Sequence, residues 1–213
     1  MTLTHADPYI YQDIDTELGT YEPGGPIPQA NSVPTIMAVV DAVANGCSTG
    51  AEIAEAIGFS GRQGAYYLDA ATSLGLVERI GGSRRLSQLG EDMASASSPE
   101  RTARIFCHLS SLSYVQTYLE YGADALEREW AASLSDTTVE RRIATIESWA
   151  DFLTADADEQ CAEDLAVSVA TRARAQQIQA RRREAEAKAP KIRRCGCCNM
   201  QLPSGRSTCD LCD

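Results

Sequence analysis

The chain has 213 residues, is 44% hydrophobic and 23% charged, and carries a formal net charge of −11. No run approaches 18 consecutive apolar residues, which excludes a membrane-spanning helix. Only 6% of residues are aromatic, which argues against a β-rich binding barrel. Met1 to Asp7 lacks a basic patch followed by an apolar stretch, so a cytoplasmic protein without membrane contact is expected.

Charge and cysteine are both unevenly distributed. Residues 1–33 contain five acidic residues and no basic one, and residues 156–170 again five acids and no base. Residues 171–194 reverse the sign, with nine basic residues against two acidic ones. Phosphates respond to such local charge more than to the global balance. Of eight cysteines, five fall in residues 195–213.

Residues 1–33, acidic and ending in Pro23-Gly24-Gly25-Pro26-Ile27-Pro28, predict a disordered arm. Folding is expected from Pro34 onward. Ile36, Val39, Val40 and Val43 share a helical stripe that stops at Gly46. Thr49 with Glu52 has the spacing of a capping box, in which hydroxyl and carboxylate each satisfy an orphan backbone N–H. The helix it opens ends at Gly58-Phe59. Ser60 with Gln63 repeats the signal for a helix running to about Leu74. Helix, tight glycine-containing turn and helix is helix-turn-helix order.

Leu76 to Ile80 predicts a strand, Gly81-Gly82-Ser83 a turn and Arg84 to Ser87 the returning strand. A hairpin directly after the second helix makes the unit a winged helix-turn-helix. Further helices are expected over Gln88–Ala96, from Ser98-Pro99-Glu100 along the stripe Ile105, Leu109, Leu112 and Leu119, and over Asp124–Ala132. Thr137 with Glu140 offers a third capping box. It opens a seam of Val139, Ile143, Ile146, Ala150 and Leu153 that would close this domain's core or pair two copies in a homodimer.

Arg62-Gln63-Gly64-Ala65-Tyr66-Tyr67, Leu74-Gly75-Leu76-Val77, Arg85-Leu86-Ser87 with Gly90, and Thr138-Val139-Glu140-Arg141-Arg142 with Trp149 resemble an accessory winged-helix module. Such modules are associated with bacterial and archaeal restriction and defence proteins. The layout is also similar to the winged helix following some AAA or transporter ATPases. The resemblance covers about residues 34–154 and implies a DNA-contacting or regulatory module without catalysis of its own.

Burying Tyr67, Leu68, Ala71 and Leu74 would leave Arg62, Gln63, Tyr66 and Asp69 outward. Arg62, Gln63 and Tyr66 are therefore expected to reach base edges, where Arg suits guanine and Gln adenine. Arg79, Arg84 and Arg85 are expected to place the hairpin on phosphates. Residues 155–194 read as an acidic-then-basic helical linker whose run from Arg172 to Arg194 is either an electrostatic footprint for DNA backing up a zinc ribbon or a solvated helix masked by the 156–170 acids.

The tail is the sharpest local signal. Cys195 and Cys198, then Cys209 and Cys212, form two Cys-x-x-Cys knuckles over residues 195–213. Four thiolates are the donor set of one structural Zn²⁺ in a small zinc ribbon, with Cys197 as a surplus thiol or alternative ligand. Metal would supply the folding energy that so short a segment lacks.

Catalytic signals are poor. Cys107 and His108 are adjacent on a helix and diverge, and Glu186-Ala187-Lys188 lacks the strand setting of a nuclease motif. The expected protein is thus mainly α, a winged helix-turn-helix with additional C-terminal helices and a zinc ribbon. It would be non-enzymatic and bind double-stranded DNA, as a transcriptional regulator or an accessory factor of a defence or restriction system. The alternative is an adaptor whose winged helix and ribbon dock a protein partner.

Overall fold

The structure is a computed structural model that describes residues 29–155 and 157–188. The protein is mainly α. In chain order the elements are α1 (Val33–Ala44), α2 (Gly50–Ile57), α3 (Gly61–Ser73), β1 (Val77–Ile80), β2 (Ser83–Leu86), α4 (Gln88–Ser95), α5 (Ser98–Ser110), α6 (Ser113–Tyr121), α7 (Ala123–Trp130), α8 (Asp136–Thr154) and α9 (Ala157–Lys188). No helix among the described residues is long and apolar enough to cross a membrane.

Helix α1 is buried on every side rather than along one stripe, from Val33 to Val43. The α2, α3, β2 and α4 elements pack around it. Its N-cap is Ser32, whose Oγ accepts the Thr35 N–H at 3.2 Å. Packing begins ahead of residue 34, where the sequence suggests the arm should end. Ala30 is fully buried, its carbonyl accepting the Trp149 indole N–H at 2.9 Å. Residues 1–28 of the expected arm lie outside the described residues.

The Thr49–Glu52 capping box forms with both of its bonds, and α2 stops at Gly58, φ +80°. The Ser60–Gln63 signal is only half a box. The Ser60 hydroxyl accepts the Gln63 N–H but donates to Gln63 Oε1 at 3.0 Å, so the amide does not reach back to the backbone. The α2–α3 crossing is close because Gly64 faces α2. A Cβ at Gly64 would lie 2.3 Å from that of Ala54.

The expected third box does not form. Helix α8 starts at Asp136 after Ser135, whose hydroxyl is engaged with Thr138 Oγ1 at 2.9 Å. The cap of α5 is likewise Ser97 rather than Ser98, without a side-chain bond. The helix expected to run from Ser98 past Leu119 is broken after Ser110. Ser111 turns its hydroxyl onto the His108 carbonyl at 2.7 Å, and Leu112 takes an extended conformation before α6. The stripe therefore ends early and Leu119 is exposed. The α8 seam (Val139, Ile143, Ile146, Ala150, Leu153) is buried within this chain, with Trp149 beside it.

A second correction concerns the expected linker. Helix α9 is part of the packed body as far as Ile178, where the first of two compact units ends. Ala175 and Ile178 are buried. Arg172 and Arg174, expected to belong to a basic footprint, are exposed, yet each also makes a contact with the packed body. Arg174 donates to the Ala56 carbonyl at 3.4 Å, at the C-terminus of α2, where cations are favoured. Arg172 joins a buried ion network. Asp41 of α1, 1% exposed, accepts both arms of Arg101 from α5 at 2.9 Å, and Arg172 at 3.2 Å. Asp164 of α9 lies 3.4 Å from the Arg101 Nε. In the second unit, from Gln179, Arg182 pairs with Glu186 at 3.2 Å and Lys188 with Glu184 at 2.5 Å.

Gly64→Ala should destabilise the fold by about 1–3 kcal/mol in urea unfolding, because overpacking outweighs the helix propensity gained. Gly61→Ala, where a Cβ meets nothing within 4 Å, should be neutral or stabilise by up to about 1 kcal/mol. Equal effects at the two positions would contradict the described crossing.

Candidate nucleic-acid interface

The residues singled out from the sequence fall into two groups. On α3, Arg62, Gln63 and Asp69 are exposed and Tyr66 is half-buried. Arg62 Nε–H donates to the Tyr66 hydroxyl at 3.3 Å, one turn along, which holds the guanidinium against the N-terminal half of the helix. The opposite face buries Gly64, Leu68, Ala70 and Ala71. Tyr67 is half-buried rather than in the core. Its ring packs against Phe59 at 5.1 Å, and its hydroxyl donates to Asn31 Oδ1 at 3.3 Å.

The second group sits on the hairpin, which turns through Gly81-Gly82 with φ +64° at Gly81, a conformation suited to glycine. The register pairs Val77 with Leu86, Glu78 with Arg85, Arg79 with Arg84 and Ile80 with Ser83. Since side chains alternate along a strand, Arg79 and Arg84 stand opposite each other on the face that carries Val77 and Leu86. Arg85 stands on the other face, opposite Glu78. Like charges directly opposed across a ladder disfavour the pairing, whereas Glu78 and Arg85 are complementary. Among the described residues none of the three hairpin arginines makes an ion pair. Arg79 and Arg85 are exposed. Arg84 is half-buried, with its backbone N–H donating to the Ser48 carbonyl at 2.8 Å.

What sets the hairpin against α3 is a row of three carbonyls at the helix end. His108 of α5 bonds the Leu74 carbonyl through Nε2 at 2.9 Å. The Ser87 hydroxyl donates to the Gly75 carbonyl at 2.5 Å, and the Ser87 N–H to the Leu76 carbonyl at 3.1 Å. Helix ends leave such carbonyls without helical partners, so bonds from outside decide the direction in which the chain leaves. A carbonyl only accepts, so Nε2 carries the proton. Burial pushes the His108 pKa below its ordinary value, the Leu74 bond opposing this in part.

Sequence reasoning did not find Arg101 or Asp41, and weighed His108 only as a catalytic partner of Cys107. Their signals were present. Asp41 is the only charge in the apolar run Thr35–Ala44, and Arg101, Ile105, His108 and Leu112 recur at helical spacing on one face. Cys195, Cys198, Cys209 and Cys212, with Cys197, lie outside the described residues. Among the described residues no three His, Cys, Asp or Glu side chains cluster as metal ligands.

Residues 35–158 match the family described as a domain of unknown function, DUF7226. The chain belongs to that family. The DUF7226 segment begins within α1, contains α3 and the hairpin with all six arginine, glutamine and tyrosine positions named above, and ends just inside α9. No curated protein and no solved structure matches the chain.

Neutral His108 ties stability to pH. Below about pH 6.5 an unfolded imidazole takes up a proton that the folded one resists, so stability falls as the pH drops through that window. Urea midpoints at about pH 7.5 and 5.5 should separate for the wild type and lie closer together for His108→Gln. An equal separation in the two proteins would contradict the buried neutral imidazole.

Proposed function

We propose that this DUF7226 protein is a non-enzymatic double-stranded-DNA-binding protein, a regulator or an accessory recognition factor of a defence or restriction system. In this reading α1–α3 with the hairpin is a winged helix-turn-helix. The observation that carries it is the exposed N-terminal half of α3, bearing Arg62 and Gln63, next in the chain to a hairpin whose three arginines have no ion-pair partner among the described residues. Guanidiniums without ion-pair partners on a hairpin are suited to phosphates, and Arg and Gln at a helix start to base edges. Asp69 on the same helix face and Glu78 on the hairpin temper the field, so affinity would rest on few contacts.

The cysteine tail completes the proposal. Four thiols in two Cys-x-x-Cys pairs supply the donors that a closed structural zinc site takes, and Cys195, Cys198, Cys209 and Cys212 would hold one Zn²⁺ as a small ribbon. The exposed Arg181, Arg182 and Arg183, ahead of that tail, add positive charge to it. The reading places the protein in the cytoplasm, where thiols stay reduced and available to metal.

Fluorescence anisotropy on random duplex DNA should show affinity falling with salt. Arg79→Ala and Arg85→Ala should each reduce the slope by about one unit per lost phosphate contact. Gln63→Ala should instead change preference among duplex sequences at constant slope. Salt-independent binding, or none, contradicts the proposal and favours an adaptor that docks a protein through the same face. Zinc analysis should give one ion per chain, lost in the variant carrying Cys195→Ser and Cys212→Ser without change in the thermal unfolding of the α1–α8 core. Full zinc retention in that variant would refute the ligand set.

A further inference from the structure

Helix α9 carries its polarity in the opposite sense to the other helices. The face it packs on the body is largely polar or small, with Gln160, Asp164, Ser168, Thr171 and Ala175 buried. Its outward face is apolar. Ala162, Leu165, Ala166, Val169 and Ala173 recur at helical spacing and all are exposed, Leu165 by 54% and Val169 by 58%. At 3.6 residues per turn the two sets lie on opposite sides of the helix. A single exposed apolar side chain is ordinary, whereas a continuous seam rimmed by charge marks an interaction surface.

Charge along α9 selects the occupant. Residues 157–164 hold four acidic residues and no basic one, and residues 171–178 two arginines and no acidic one. A second α9 laid antiparallel meets opposite charge at both ends, and one laid parallel meets like charge. Glu163 and Arg174 are about three helical turns apart, so they lie on the same flank of the seam, with Val169 near the midpoint between them. Both are exposed, and neither makes an ion pair among the described residues. Arg174 bonds the Ala56 carbonyl through Nη1, and a guanidinium has further N–H groups to offer.

We propose that the outward face of α9 is a homodimer surface, on which a second copy of this chain lays its own α9 antiparallel about a two-fold axis near Val169. The interface is isologous, so Glu163 of each copy meets Arg174 of the other, and Leu165 and Val169 close over the seam. The alanines between them let the helices approach closely. Exposed ion pairs add little affinity but fix direction and register, while the apolar seam supplies the attraction. Two copies so related would present two recognition helices to inverted half-sites. That consequence rests on the DNA-binding reading, whereas the pairing does not.

Sedimentation velocity of the zinc-loaded full chain without DNA, over a wide concentration range, should show a mass rising from one chain to two. Val169→Glu, which sets two like charges together at the axis, should abolish the dimer and leave the thermal midpoint of the dilute protein unchanged. Glu163→Arg and Arg174→Glu each turn two attractions into repulsions and should weaken association roughly tenfold. An equimolar mixture of those two variants restores opposite charge at both contacts and should recover association as a mixed dimer. Association unaltered by Val169→Glu, or a mixture no tighter than either variant alone, would overturn the antiparallel pairing. A single-chain mass throughout would also overturn it. The seam would then belong to another segment of the same chain if Val169→Glu lowers the midpoint, and to a different protein if it does not. A dimer that binds no duplex refutes only the DNA reading, and a monomer that binds duplex refutes only this one.

Discussion

One carboxylate organises this protein. Asp41 sits in the C-terminal third of α1, 1% exposed, and accepts the fork of Arg101 from α5 and the guanidinium of Arg172 from α9. Withdrawing Asp41 and Arg101 from water costs several kcal/mol per ion, offset by attraction only where geometry is good and hydrogen bonds complete the shell, whereas Arg172 stays about half exposed. The bidentate pair at 2.9 Å meets the first condition, while the buried Arg101 Nε makes no hydrogen bond among the described residues. Asp164 fits less well. Burial raises its pKa although Arg101 opposes the shift, and its contact with Arg101 is longer, at 3.4 Å. The arrangement works less as added stability than as registration. A one-residue slip of α5 or α9 would leave a buried charge unpartnered, so the ion network allows only one depth for each helix.

That registration reaches the proposed interface through α5. Arg101 and His108 lie on the same face of the helix, two turns or roughly 10 Å apart. When Asp41 fixes Arg101, His108 is delivered to the Leu74 carbonyl at the end of α3. There it acts with Ser87 to set where the chain leaves the helix and enters β1. Hairpin direction, and with it the placement of Arg79, Arg84 and Arg85, therefore depends on a contact made deep within the core. Helix α9 belongs to the same construction as far as Ile178, because Arg172 and Arg174 close contacts on α1 and α2.

Much of this was legible in the sequence where the signal is local. The Thr49–Glu52 box, the glycine stop at Gly58, the Gly81-Gly82 turn and the α8 seam depend on a few neighbouring residues, and all form. Spacing alone did not reveal where local hydrogen bonding wins over periodicity. The stripe through Leu119 ignores Ser111, whose hydroxyl helps end α5, and the Thr137–Glu140 pattern ignores Ser135, which starts α8 earlier. The long-range ion network was illegible as a network, since Asp41 and Arg101 are sixty residues apart and Arg172 farther still. Reading a charge run by composition did not reveal that Arg172 and Arg174, though exposed, also bond Asp41 and the Ala56 carbonyl. Of the proposed contact residues, Arg62, Gln63, Arg79 and Arg85 are exposed as expected, while Arg84 is drawn half inside.

The account stands on Asp41 as the group that registers α5 and α9, and native-state hydrogen exchange of Asp41→Asn beside the wild type tests it most directly. The substitution removes the charge and leaves Arg101 buried without its partner, a loss on the order of 3–5 kcal/mol. Protection should fall first in α9 up to Ile178 and in α5, and then at Leu74 to Leu76, where His108 would lose its alignment. Unchanged protection in those segments, with global stability within about 0.5 kcal/mol of the wild type, would contradict it.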